Sequence, residues 1–257
     1  MELTALVLEK VSLGFGGLTV LNEVSFSVRN GDLFALIGPN GAGKTSVLNC
    51  ISGIYRPSGT ITFHDTSLVG LTPHDIAARG VRRTFQHGEM FAQMTIADSL
   101  LTARHSLMDT GIWSEMLRTR KMRREEERHR QAVDEMIGFF ELEKFRDRKV
   151  GTLPFGLQKI VGFARALCAE PSILLLDEPS AGLTQPERED LAFFMLKIKA
   201  ERNLPMLWIE HDMQMVSDLA DRVHVLDYGR SLAEGDPATV MADHNVISAY
   251  LGREAHG

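Results

Sequence analysis

Eight consecutive residues, Gly38-Pro39-Asn40-Gly41-Ala42-Gly43-Lys44-Thr45, carry the spacing G-x-x-x-x-G-K-[ST]. That combination is suited to holding a chain of phosphates. Glycines let backbone N–H groups converge on one point, and a following helix directs its positive end at the same place. Lys44 can reach the β- and γ-phosphates, and the Thr45 hydroxyl can ligate Mg²⁺. A glycine-rich turn can match a short pattern by chance, but here the flanks agree with it. Leu33-Phe34-Ala35-Leu36-Ile37 is apolar on both faces, as a strand inside a parallel sheet is. Helical sequence then runs from Lys44 to Ser52, with Gly53 placed to cap it.

A phosphate cradle alone leaves kinases, GTPases and ATPases open. The N-K-x-D pattern with which GTPases read guanine is absent. Ile173-Leu174-Leu175-Leu176-Asp177-Glu178 adds two carboxylates at the C-terminal end of a second buried strand, where α/β sheets place ligands. Asp177 is suited to hold Mg²⁺, directly or through water, and Glu178 to polarise an attacking water. His211 ends a third buried strand in Trp208-Ile209-Glu210-His211-Asp212. A lone histidine is more often structural, and the other ligands of a metal-dependent phosphohydrolase are not apparent. At a strand tip beside a phosphate cradle, it is read as a γ-phosphate sensor. Gln86, in Arg83-Thr84-Phe85-Gln86-His87, is uninformative by itself, and a surface glutamine is its default reading.

These groups need a scaffold that brings strand ends together. Leu6–Leu13 and Val20–Val28 alternate apolar and polar residues as half-buried strands do, and β signals continue through Thr60-Ile61-Thr62-Phe63. From about Thr72 to Glu170 the periodicity is helical, and Arg118–Arg130 is a charge run with interleaved glutamates that predicts a solvated helix. Strand signals at Ile173–Leu176, Met206–Ile209 and Arg222–Leu226 then alternate with helical sequence at Pro186–Glu201 and Met213–Ala220. That alternation predicts a parallel sheet. Tyr228-Gly229-Arg230 marks a turn, and helical sequence at Pro237–Met241 and Val246–Leu251 closes the chain.

Composition narrows the classes further. With 257 residues, 44% hydrophobic and 24% charged, the chain suits one α/β domain with an inserted lobe. A formal charge of −6 argues against a dedicated nucleic-acid binder. Cys50 and Cys168 form no paired spacing, which predicts neither a disulfide scaffold nor a zinc knuckle and fits a reducing compartment. The opening Met1-Glu2-Leu3-Thr4 lacks a leader-like pattern, and no apolar run approaches the ~20 residues that span a bilayer. Work at a membrane would therefore require a partner.

Taken in order, the motifs resemble those of the ABC ATPases over nearly the whole chain. The resemblance implies a P-loop NTPase core with an N-terminal antiparallel β subdomain and a helical subdomain insertion. On that reading residues 1–85 and 171–235 form the α/β core with its β subdomain, 86–170 the helical subdomain and 236–257 a helical tail. Phe15, 23 residues before Gly38, stands in the place of the aromatic that stacks on adenine. The cradle Gly38–Thr45 and Ser46 would bind the phosphates of ATP. Gln86 stands in the Q-loop, as a Mg²⁺ ligand and catalytic group, beside Lys44, Glu178 and His211. Leu153-Pro154-Phe155-Gly156-Leu157-Gln158 occupies the signature place, so Leu153, Gly156 and Gln158 would face nucleotide, and Ser180–Thr184 the D-loop. Thr45 and Asp177 complete the metal set.

More narrowly, Gly14-Phe15-Gly16-Gly17, Arg83-Thr84-Phe85-Gln86, Glu178–Leu183 and Ala249-Tyr250-Leu251-Gly252 are similar to the ATPase subunits of branched-chain amino-acid importers. This implies an ATP-hydrolysing subunit on the cytoplasmic face of the inner membrane, held there by transmembrane permease subunits. A second ATPase subunit, identical or different, would pair with it, and a periplasmic or extracellular solute-binding protein would act indirectly. A nucleic-acid-clamping ABC protein and an ATP-binding regulatory subunit are the alternatives. The former usually needs two cassettes or a long coiled coil, and Glu178 and His211 argue against the latter. Two departures stand out: Pro154 and Phe155 replace the serine and first glycine of L-S-G-G-Q, and Thr184 replaces the usual D-loop aspartate. They predict unequal ATP sites in the pair.

Overall fold

The computed structural model describes residues 4–84, 92–107 and 120–254. They fall into two compact units, Met1–Arg83 with Ser172–Gly257, and Thr84–Pro171.

The first unit carries two sheets. Strands β1 (Thr4–Phe15) and β2 (Leu18–Arg29) pair antiparallel, and β4 (Ser58–Phe63) and β5 (Thr66–Ser67) extend them in the order β2-β1-β4-β5. Their apolar residues alternate with polar ones because one face is packed and the other solvated. The second sheet runs β10-β9-β3-β8-β7-β6. Its central strands β3 (Leu33–Ile37), β7 (Ile173–Asp177) and β8 (Met206–Ile209) are buried at every residue. Continuous apolar runs survive only where both faces are covered, and these strands pair in parallel, as do β9 (Arg222–Asp227) and β6 (Val81–Arg83). Helices α1 (Lys44–Ile51), α6 (Gln185–Arg202) and α7 (Met213–Leu219) follow β3, β7 and β8, and α2 (Pro73–Ala78) precedes β6. Among the described residues of this unit, Trp208, Phe34 and Phe63 are the bulkiest fully buried side chains.

Three strands lie where the sequence pattern predicts none: the two-residue β5, and β6 and β10. β6 spans three residues at the sheet edge, too short to impose a periodicity on helical surroundings. β10 (Arg230–Gly235) is largely polar, and its antiparallel pairing with β9 follows from the tight turn at Tyr228-Gly229. The chain then closes with α8 (Pro237–Met241) and α9 (His244–Glu254).

The second unit is helical: α3 (Ile96–Ala103), α4 (Arg120–Phe139) and α5 (Phe155–Cys168) pack on one another. The charge run lies on α4, where Arg130 pairs with Glu126 across one turn. His129 on the same helix is buried and takes a hydrogen bond at Nδ1 from Arg104 Nε, 2.9 Å away. Burial holds its imidazole below the ordinary histidine pKa. Arg104 also donates to the Cys168 carbonyl and to Glu170, closing the unit around one guanidinium. Among the described residues no helix is long and apolar enough to cross a membrane.

Candidate active site

The C-terminal ends of β3, β8 and β7 lie side by side, with Leu36 opposite Ile209 and Ile209 opposite Asp177. Everything that leaves these strands therefore emerges at one edge. β3 runs into Gly38, whose φ is 145° and whose missing Cβ would sit 2.1 Å from the Leu226 carbonyl oxygen. Only glycine passes there. Gly43, at φ 103°, is similarly wedged against Leu21 and the Val20 carbonyl, and it forms the N-cap of α1. No side chain caps this helix, so its first N–H groups face the loop. Ala42 N–H donates back to Pro39, and Gly229 N–H donates to Ala42, fixing the arc. Lys44 is 6% exposed, and its Nζ donates to the carbonyls of Gly38 at 2.7 Å and Pro39 at 3.1 Å. The ammonium thus sits inside the loop it would share with phosphates. Asn40, Gly41 and Thr45 are exposed, and Ser46 is half-buried.

Asp177 ends β7. Its Oδ2 accepts from Arg83 Nη2 at 2.5 Å, while its Oδ1 is buried and has no hydrogen-bond partner among the described residues. A buried, unpartnered carboxylate oxygen is costly unless something cationic or protic meets it. This orphan oxygen, together with the hydroxyl of Thr45, fits a hard divalent cation. Arg83 Nη1 also donates to Asn49 Oδ1 on α1 at 2.7 Å, so one guanidinium ties the cradle's helix to Asp177.

Glu178 has φ 48°, and its N–H donates to the Ile209 carbonyl, which turns its side chain toward the end of β8. There His211 Nε2 lies 2.8 Å from Glu178 Oε1. An ionised carboxylate only accepts, so in that state the contact is made by a proton on Nε2. Both side chains keep access to solvent, at 38% for His211 and 30% for Glu178. Buried Glu210 fixes the exit of β8: its Oε1 accepts from the backbone N–H groups of His211 and Asp212. Asp212 then caps α7 through the Met215 N–H. The dyad offers a base and a proton-bearing partner at the same strand edge as the lysine loop.

Phe15 is half exposed and meets Tyr55 edge-on, with centroids 5.1 Å apart at 74°. The pair presents a ring that a planar base could stack on. Gln86 lies outside the described residues. In the second unit, Leu153 is buried and Gln158 Nε2 donates to its carbonyl at 2.9 Å. Pro154 is the N-cap of α5, with φ −54° and ψ 149°. It has no side-chain acceptor to give, so α5 starts without a side-chain cap. Phe155 is half exposed under Lys159, and Gly156 is buried. In the first unit Thr184 starts α6, and its N–H and hydroxyl both bond Glu187. That capping role gives the D-loop departure a local reason.

Four residues here went without an assigned role in the sequence reading: Arg83, Asn49, Glu210 and Tyr55. Each acts through a partner distant in the chain or through its own backbone, and no spacing announces that. Tyr250, in the terminal motif, is a fifth. Burial pushes its phenol up to about 12.

The comparisons with known proteins agree with this architecture. A family model described as ABC transporter matches residues 21–181, and one described as branched-chain amino acid ATP-binding cassette transporter matches residues 230–256. The high-affinity branched-chain amino acid transport ATP-binding protein LivG of Salmonella typhimurium is 39% identical, over 98% of this chain and 99% of its own. The corresponding BraF protein of Pseudomonas aeruginosa is 38% identical, over 94% and 95%. The solved ADP conformation of an ATP-binding cassette of an ABC transporter superposes with a TM-score of 0.85. It shares 30% identity and is matched over 97% of this chain and 99% of that one.

Proposed function

The chain belongs to the ABC transporter family as its ATP-hydrolysing subunit, and from that premise we propose that it powers an importer of branched-chain amino acids or closely related solutes. The observation that carries the proposal is the meeting of the lysine loop, the orphan oxygen of Asp177 and the Glu178–His211 pair at one strand edge. Phe15 stacks on adenine. The loop from Gly38 to Ser46, with Lys44 inside it, holds the phosphates. Thr45, Asp177 and Gln86 would hold Mg²⁺, which would supply positive charge to offset that of the phosphates. Glu178 takes the proton of the attacking water, and ADP leaves with the bridging oxygen. His211 steadies Glu178 through their 2.8 Å contact and senses whether a γ-phosphate is present.

Two cassettes then close head to tail, each ATP lying between one chain's loop and the other's signature. ATP binds the closed pair better than the open one, so binding closes it and hydrolysis reopens it. Permease subunits hold the pair at the cytoplasmic face of the membrane, and solute choice rests with them and with a solute-binding protein. The test is ATP turnover by the complex purified with its permeases. Stimulation by a branched-chain amino acid with its binding protein is expected. Turnover indifferent to solutes but raised by nucleic acid would overturn the transport reading, and no turnover with intact ATP binding would favour a regulatory subunit.

The two composite sites are expected to be unequal, with the site that uses this chain's signature the weaker. Pro154 offers no hydroxyl, and losing one hydrogen bond to a charged acceptor costs ~1.5–3 kcal/mol, about tenfold or more. The α5 dipole still favours phosphate, so impairment is partial. Mutating each catalytic glutamate separately in the natural pair checks this. Loss of Glu178, whose site uses the partner's signature, should do the greater harm. Equal or lesser harm would contradict it.

A further inference from the structure

We propose that Arg83 is a positioning residue that occupies one oxygen of Asp177 and offsets its charge, so that the site takes a divalent cation only together with nucleotide phosphates. The inference rests on the reading of Asp177 as a metal ligand. Its basis is a three-residue chain of contacts within one unit. Asn49 Oδ1 accepts from Arg83 Nη1 at 2.7 Å, and Arg83 Nη2 donates to Asp177 Oδ2 at 2.5 Å. Arg83 is 12% exposed and Asp177 6%, so solvent does little to screen the pair. Asp177 Oδ1 remains without a partner among the described residues.

Two consequences follow from this geometry. The carboxylate cannot rotate while Oδ2 is held, so Oδ1 keeps its direction for a cation or its bound water. The guanidinium also places a fixed positive charge beside the same carboxylate, and that charge repels any metal arriving alone. Asn49 prevents the guanidinium from swinging aside, because it holds the other Nη from α1, directly behind the phosphate loop. Phosphates supply the missing negative charge, and with them the balance turns in favour of the metal. Metal and nucleotide would then enter and leave as one unit.

The geometry predicts a gain of function when Arg83 is neutralised. Binding of Mn²⁺ to the full nucleotide-free chain is measured by electron paramagnetic resonance at pH 8, where carboxylates are ionised. Arg83→Gln is expected to bind Mn²⁺ at least about tenfold more tightly than wild type. Arg83→Lys keeps the charge and should gain less than about threefold. Arg83→Gln combined with Asp177→Asn should lose what Arg83→Gln gained. If Arg83→Gln does not fold, as circular dichroism would show, Asn49→Leu is read instead. It leaves Arg83 unanchored and should gain about threefold. No gain in whichever of these variants is read overturns the proposal, as does wild-type Mn²⁺ affinity that ATP fails to raise. The underlying site reading fails separately, if the wild-type chain binds no ATP at all.

Discussion

Replacing Lys44 by alanine is expected to abolish nucleotide binding. The side chain is almost wholly buried and donates to two loop carbonyls, so its ammonium is already held where phosphates would lie. Charge-assisted hydrogen bonds contribute ~1.5–3 kcal/mol each, and two to the β- and γ-phosphates correspond to roughly 10²–10⁴-fold in affinity. The substitution also removes the bonds that brace Gly38 and Pro39, which leaves the loop less organised before any ligand arrives. Calorimetric titration with MgATP reads the effect. Retained affinity within a few-fold of wild type would contradict the placement of the phosphates.

Glu178→Gln is expected to keep nucleotide binding and lose turnover by at least about 10²-fold. The amide has the shape of the carboxylate and can still accept from His211 through its oxygen, so the 2.8 Å contact survives. What disappears is the basicity that draws a proton from water. With binding intact and hydrolysis stopped, the ATP-bound pair should accumulate when the proper partner is present. Hydrolysis by the assembled transporter and size-exclusion chromatography in ATP read the two outcomes. Full activity would mean that the base is another group.

The parts of this site that were legible in the sequence are those carried by dense local spacing. Gly38 to Thr45 declares its loop because glycine, lysine and threonine must fall within eight residues of a buried strand. The α/β class was equally legible, since continuous apolar runs such as those of β7 and β8 have few other meanings. The contact between Glu178 and His211 joins residues 33 apart, and it depends on β7 and β8 being neighbours in the sheet. Arg83 was more hidden still. It touches Asp177 across 94 residues from a strand of only three, within a stretch whose periodicity is helical. Pro154 shows the limit of propensity: its φ suits a helix, but ψ decides between first turn and cap, and sequence does not specify ψ.

Solute accumulation by the complete transporter in sealed vesicles tests the central claim most directly. ATP is enclosed on the side that carries this chain, and labelled branched-chain amino acid with its binding protein is supplied on the other. The account predicts uptake against the gradient that requires enclosed ATP and vanishes when Glu178→Gln replaces the wild-type chain. Uptake that proceeds without ATP, or ATP hydrolysis that never moves solute, would contradict it.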